Sequence, residues 1–252
     1  MKRLIPTLFL LLAPAALAGD GAMSLSPAVV MLRGKVGEST SQTLVMRNGT
    51  SRTMSFDLVA QDVVVNDGRR VMMPAGSIAG SIAATAVFST PHVTIPPGES
   101  AAVTMTITVP SNAAPRAVLA LFRGTDTIMR GKMASCLSLG SLLTFALSDD
   151  IAMTPEKLIV KPQSATSNLS VAQTCVNSGH EPLVARGVLA VIAADGHLAG
   201  KAALAPHRLL PGEHGELAAE YAGEIPPGHY RLLVTYEYEG RNLMQSSDVD
   251  IQ

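Results

Sequence analysis

The sequence predicts an all-β protein of two tandem sandwiches, on three observations. Helical periodicity is nearly absent beyond residue 18, period-2 alternation recurs along the chain, and Pro, Gly and Asn turn signals punctuate it at short intervals.

The first 18 residues stand apart. Lys2 and Arg3 precede an apolar run from Leu4 to Leu12, and the stretch ends on Ala16-Leu17-Ala18. A basic start, a short apolar region and a small-residue box are the pattern of a secretory signal peptide, with cleavage expected near Ala18. A spanning helix needs about 20 apolar residues, more than Leu4 to Ala18 supply, and Pro6 and Pro14 interrupt them. No later segment is long and apolar enough to span a bilayer. The expected divisions are a signal peptide at 1–18, a first sandwich at 19–149 and a second at 150–252.

In the first unit, Ser41 to Asn48 reads as a strand, and Met54-Ser55-Phe56-Asp57-Leu58 alternates. Asn66-Asp67-Gly68 between Val65 and Val71 is a hairpin signal, because these residues tolerate positive φ. Pro96-Pro97-Gly98 precedes the clearest strand, Val103 to Val109, in which apolar odd positions alternate with threonines. One face of that strand belongs on a core and the other in water. Pro110 ends it. Ala117 to Arg123, a long hairpin and Leu139 to Leu147 complete the unit.

The second unit repeats the grammar. Strands are expected at Leu158-Ile159-Val160 and at Asn168 to Val176, with an Asp195-Gly196 hairpin between Val191-Ile192 and Leu198. Pro211-Gly212-Glu213 precedes Leu217-Ala218-Ala219, as Pro97-Gly98-Glu99 precedes its own strand. Pro226-Pro227-Gly228 leads into Tyr230 to Tyr236. Short strands with turn signals at this spacing point to immunoglobulin-like sandwiches. Tyr230, after a Pro-Gly corner and opening a late strand, fits a tyrosine corner; the plainer reading is a half-buried strand residue.

Composition excludes several functions. The net charge of −1 becomes −3 once Lys2 and Arg3 are removed, and no Lys/Arg cluster supplies a nucleic-acid footprint. Hydrophobic residues make up 47% and charged residues 15%, which separates the chain from disordered sequences. No Gly-x-Ser-x-Gly elbow, phosphate-cradling Gly loop, His-Glu-x-x-His or Cys-x-x-Cys is present; Gly76-Ser77-Ile78-Ala79-Gly80 resembles the first only superficially. His197, His207 and His214 fit no zinc spacing. The expectation is a non-enzymatic protein without cofactor or metal. Asn48-Gly49-Thr50 and Asn168-Leu169-Ser170 match a glycosylation sequon, although a turn and a strand start explain them more simply. The two cysteines, Cys136 and Cys175, are expected at distant ends of different sandwiches and so to remain separate thiols.

The succession of strand 41–48, Gly hairpin, Pro-Pro-Gly-Glu-Ser turn, alternating strand, Ala117 to Arg123, long hairpin and Leu139 to Leu147 resembles the periplasmic pilus-assembly chaperones (PapD-like). The resemblance spans essentially the whole mature chain. It implies two immunoglobulin-like domains set at an angle, a periplasmic location and protein partners in the cell envelope such as pilin-like subunits. It also implies that the last first-domain strand is lent to a partner's incomplete sheet. On that strand Leu139, Leu143, Phe145 and Leu147 share one parity and are the implied partner-binding residues; their own pattern suits the first domain's core equally well. The family holds a partner carboxylate with an Arg of the first strand and a Lys of the lending strand. Here the first-strand region reads Pro27-Ala28-Val29-Val30-Met31 and the lending strand has no Lys, with Arg33 and Lys132 off position. The alternative to an assembly factor is a structural or accessory envelope protein.

Overall fold

A computed structural model of the chain describes residues 21–126, 128–130, 133–164 and 166–252. The expected signal peptide at 1–18 and Lys132 lie outside the described residues. Among the described residues no helix is long and apolar enough to cross a membrane.

The first sandwich runs through β1 (Met23–Ser26), β2 (Val29–Arg33), β3 (Ser39–Asn48), β4 (Met54–Asn66), β5 (Arg69–Pro74), β6 (Val87–Phe88), β7 (His92–Ile95), β8 (Ser100–Thr108), β9 (Ala117–Gly124), β10 (Ile128–Arg130), β11 (Met133–Ser135) and β12 (Ser138–Ala146). One sheet has the order β1-β3-β8-β6. The other has the order β2-β12-β9-β4-β5, with β7 also on β4, and β10 and β11 form a separate hairpin. The chain therefore changes sheets at Pro27, between β1 and β2. The threonines of β8 face outward and pair with hydroxyls of β3: Ser39 with Thr108 at 2.7 Å, Ser41 with Thr106 at 2.8 Å and Thr43 with Thr104 at 3.1 Å. Its apolar positions, Val103, Met105 and Ile107, fill the core with Leu44, Met46, Phe56 and Phe122. Phe56 and Phe122 meet edge to face at 6.5 Å, a favoured aromatic geometry.

The second sandwich comprises β13 (Met153–Pro155), β14 (Ile159–Lys161), β15 (Leu169–Asn177), β16 (Leu183–Ala193), β17 (Leu198–Leu209), β18 (His214–Tyr221), β19 (Gly228–Tyr238) and β20 (Arg241–Ile251). One sheet has the order β13-β15-β14, with β18 also on β15, and the other has the order β17-β16-β19-β20. The Tyr230 hydroxyl donates to the Pro226 carbonyl at 2.9 Å, four residues upstream, so the tyrosine-corner reading holds.

Turn chemistry explains the repeated grammar. Asp67 and Gly68 both take positive φ, +48° and +73°, which suits a two-residue hairpin. Asn48 and Asn177 are each fully buried at the end of equivalent strands. The Asn48 amide donates to the Arg52 and Ile95 carbonyls, and the Asn177 amide to those of Glu181 and Leu209. Their own carbonyls accept Gly98 N–H and Gly212 N–H, each at 2.8 Å. Both Pro-Gly-Glu turns are thereby locked onto an Asn of the neighbouring hairpin. Asn48, buried with its amide engaged, serves this turn in the folded chain, which agrees with the simpler reading of its sequon.

Candidate partner-binding edge and domain junction

β12 is held on one side by β9, antiparallel from Ser138 opposite Arg123 to Thr144 opposite Ala117. On the other side β2 pairs parallel with it, only from Leu142 opposite Val29 to Ala146 opposite Arg33. Leu142 N–H donates to the Ala28 carbonyl and Gly34 N–H to the Ala146 carbonyl, while Phe145 N–H and the Leu137 carbonyl bond on the β9 side. Backbone groups of even residues therefore point toward β2, and β2 stops where the chain turns away at Pro27. Ser138 and Gly140 accordingly aim their N–H and C=O at an edge where no strand pairs with them among the described residues. Leu137, just before β12, is one of the exposed large apolar side chains.

The four residues singled out on this strand all face the first sandwich's core but differ in burial. Leu143 and Phe145 are each 1% exposed and sit in the first sandwich's core. Leu139 and Leu147 are partly buried against the same core. The opposite parity is covered as well. Leu142 packs with Val63 and Ala117 of its own sandwich and with Leu210 of the second. Thr144 donates its hydroxyl to the Val30 carbonyl at 3.0 Å and accepts from Arg208 Nη1 at 2.6 Å. The outer face of β12 is thus a wall of the domain junction along its C-terminal half.

Charged groups that the sequence did not single out complete that junction. Glu181, between β15 and β16, has a fully buried side chain. It accepts the Leu147 N–H at 3.1 Å and the Ser148 hydroxyl at 2.8 Å, and lies 3.5 Å from Arg116 Nε. Burial of a carboxylate is tolerable only with such partners. Glu213 accepts the Leu210 N–H at 2.8 Å and stands 2.7 Å from Arg70 Nε. Arg70 Nη2 donates to the Arg208 carbonyl, also at 2.7 Å. Arg33 caps β2 by pairing with Glu239 at 3.1 Å. No short-range sequence signal joins Arg116 to Glu181, because each lies in a loop of a different sandwich.

Cys136 and Cys175 are both free thiols. Cys136 is exposed and donates to the Gly124 carbonyl at 2.7 Å. Cys175 is in the second core, and burial, aided by the charge of Glu156, pushes its pKa up to about 11. Native protein near pH 8 is expected to react with a thiol reagent at Cys136 and to yield Cys175 only after unfolding. Equal native rates at both thiols would contradict this burial.

A family model for an Fn3-like domain matches residues 30–132. No curated protein sequence matches the chain. Among solved structures, the class 5 fimbriae chaperone CfaA is similar at 12% identity, over 90% of this chain and 99% of that chain, with a TM-score of 0.46. The CsuC–CsuE chaperone–tip adhesion subunit complex of archaic Csu pili from Acinetobacter baumannii is similar at 8% identity, over 90% and 98%, with a TM-score of 0.45. The E. coli chaperone DraB is similar at 12% identity, over 93% and 98%, with a TM-score of 0.38.

Proposed function

We propose that this chain is an exported, non-enzymatic binding protein that holds a cell-envelope protein by β-strand addition, as an assembly factor for pilin-like or other surface subunits. The open half of the β12 edge carries this reading. Unpaired, strand-forming edges with apolar neighbours invite another chain and are normally protected; here Ser138 and Gly140 present theirs beside exposed Leu137. A partner strand there would continue the line of β2, with backbone bonds supplying affinity. Because Leu143 and Phe145 are committed to the chain's own core, recognition falls to the backbone, Leu137 and the partly buried Leu139.

Ser138→Pro tests the proposal. Proline removes the outward N–H at 138 and leaves the β9 ladder intact, a substitution that edges tolerate. The variant is expected to melt within a few degrees of wild type, on the order of 1 kcal/mol, and to lose its envelope partner in co-purification. Retention of the same partner at the wild-type level would overturn the edge as the binding element.

A further inference from the structure

On the side of the junction formed by β5, β17 and β18, Arg69, Arg70, His207, Arg208, Glu213 and His214 line a cleft of about 440 Å³. Its lining includes three arginines and one acid, Glu213. That carboxylate, Glu213, is already occupied by Arg70 and by the Leu210 N–H. Arg70 Nε is buried and faces Glu213 without a well-aligned hydrogen bond. Arg208 hydrogen-bonds through its guanidinium to the neutral Thr144 hydroxyl. Burial, and then the like charge of Arg70, push the Arg208 pKa down, and the charge of Glu239 offsets them only in part.

The two imidazoles are placed with equal definition. A Cβ at Gly68 would stand 2.8 Å from the His214 ring, and one at Gly215 would stand 2.7 Å from the His207 ring. Each ring therefore packs against a glycine where a Cβ would clash with it. His214 N–H also bonds the Gly68 carbonyl at 3.0 Å, across the two sandwiches. The cleft is thus lined by three arginines and two histidines against one acid, Glu213, with Glu239 also acting on Arg208. Guanidinium forks match tetrahedral oxyanions in geometry and charge.

We infer that this cleft binds a phosphoryl group, with Arg69 and the two imidazoles as its outer contacts and Arg70 and Arg208 as its inner cations. The site is separate from the β12 edge, and its test does not depend on the strand-addition reading. Inorganic phosphate is titrated into the full chain at ionic strength held constant with chloride, and the imidazole resonances are followed by NMR. Saturable shifts of His207 and His214 are expected. Arg69→Ser, at an exposed position of β5, is expected to weaken phosphate binding at least about five-fold without lowering the melting temperature, since charge-assisted bonds are the strong ones. A second arm uses vesicles. Flotation with phosphatidylglycerol but not phosphatidylcholine vesicles, lost in Arg69→Ser, assigns the phosphoryl group to a lipid headgroup. Saturable phosphate binding without flotation assigns it to a soluble phosphorylated molecule. Non-saturating shifts, or equal phosphate affinity in wild type and Arg69→Ser, overturn the site.

Discussion

Phe145→Glu is expected to unfold the first sandwich, and Leu143→Glu to do the same. Both side chains are 1% exposed among Leu44, Phe56, Phe122 and their neighbours. An ionised carboxylate placed there has no partner, and its desolvation cost exceeds what a domain stable by about 5–15 kcal/mol can absorb. The milder Phe145→Ala is expected to cost about 3–5 kcal/mol and Leu143→Ala about 2–5 kcal/mol, from lost burial plus the cavity left behind. Thermal melting and chemical denaturation of each variant provide the check. The experiment also separates two roles of β12. A Glu variant that melts like wild type and only loses its partner would place these side chains on the lent surface and contradict the core described above.

Glu181→Ala is expected to loosen the junction of the two sandwiches. The wild-type carboxylate satisfies the Leu147 N–H and the Ser148 hydroxyl and neutralises Arg116. Its removal leaves the largely buried Arg116 guanidinium without its counter-charge, bonded only to the Ala113 carbonyl, and the Leu147 N–H without its acceptor. Breaking a buried pair from one side costs about 3–5 kcal/mol. Part of that cost is recovered when the stranded charge goes too, so Glu181→Ala combined with Arg116→Met should be less destabilised than the sum of the single changes. Melting temperatures report the energy, and small-angle scattering reports whether the domains gain freedom. A single variant that melts and scatters like wild type would show that the apolar contacts of Val63, Ala117 and Leu210 hold the junction alone.

The same junction gives different expectations for the two edges of the first domain. β2 ties Leu142 to Ala146 into the sheet, so its loss would strip the cover from β12 and expose the core side of Val30 and Leu32. The open stretch at Ser138 and Gly140 has no such duty. Changes there are expected to alter partner capture before stability, which is why Ser138→Pro and Phe145→Glu form an informative pair.

What the sequence determined by itself was local. Alternation from Val103 to Val109 placed Val103, Met105 and Ile107 in a core and their threonines outside, because successive side chains in a strand point to opposite faces. Asn66-Asp67-Gly68 specified a hairpin because its φ angles are set within the turn, and Tyr230 announced its bond to Pro226 because the partner is four residues away. Leu139, Leu143, Phe145 and Leu147 were legible as one face of one strand. Only the tertiary structure decided what that face and its opposite meet. The parallel pairing of β2 with β12 joins residues separated by 114 positions at Thr144 and Val30. The burial of Leu142 and Thr144 comes from Leu210 and Arg208 of the second sandwich. Glu181, which nothing in the sequence singled out, is fully buried against Leu147, Ser148 and Arg116 of the other side of the junction. β20 alternates too weakly to be singled out and becomes a strand through its pairing with β19. Turn angles and side-chain alternation depend on a few adjacent residues, whereas the neighbour that covers an edge or neutralises a charge arrives only when distant segments close on one another. The open edge at Ser138 and Gly140 exists because the chain leaves the sheet at Pro27, so its vacancy belongs to the fold and not to the residues that display it.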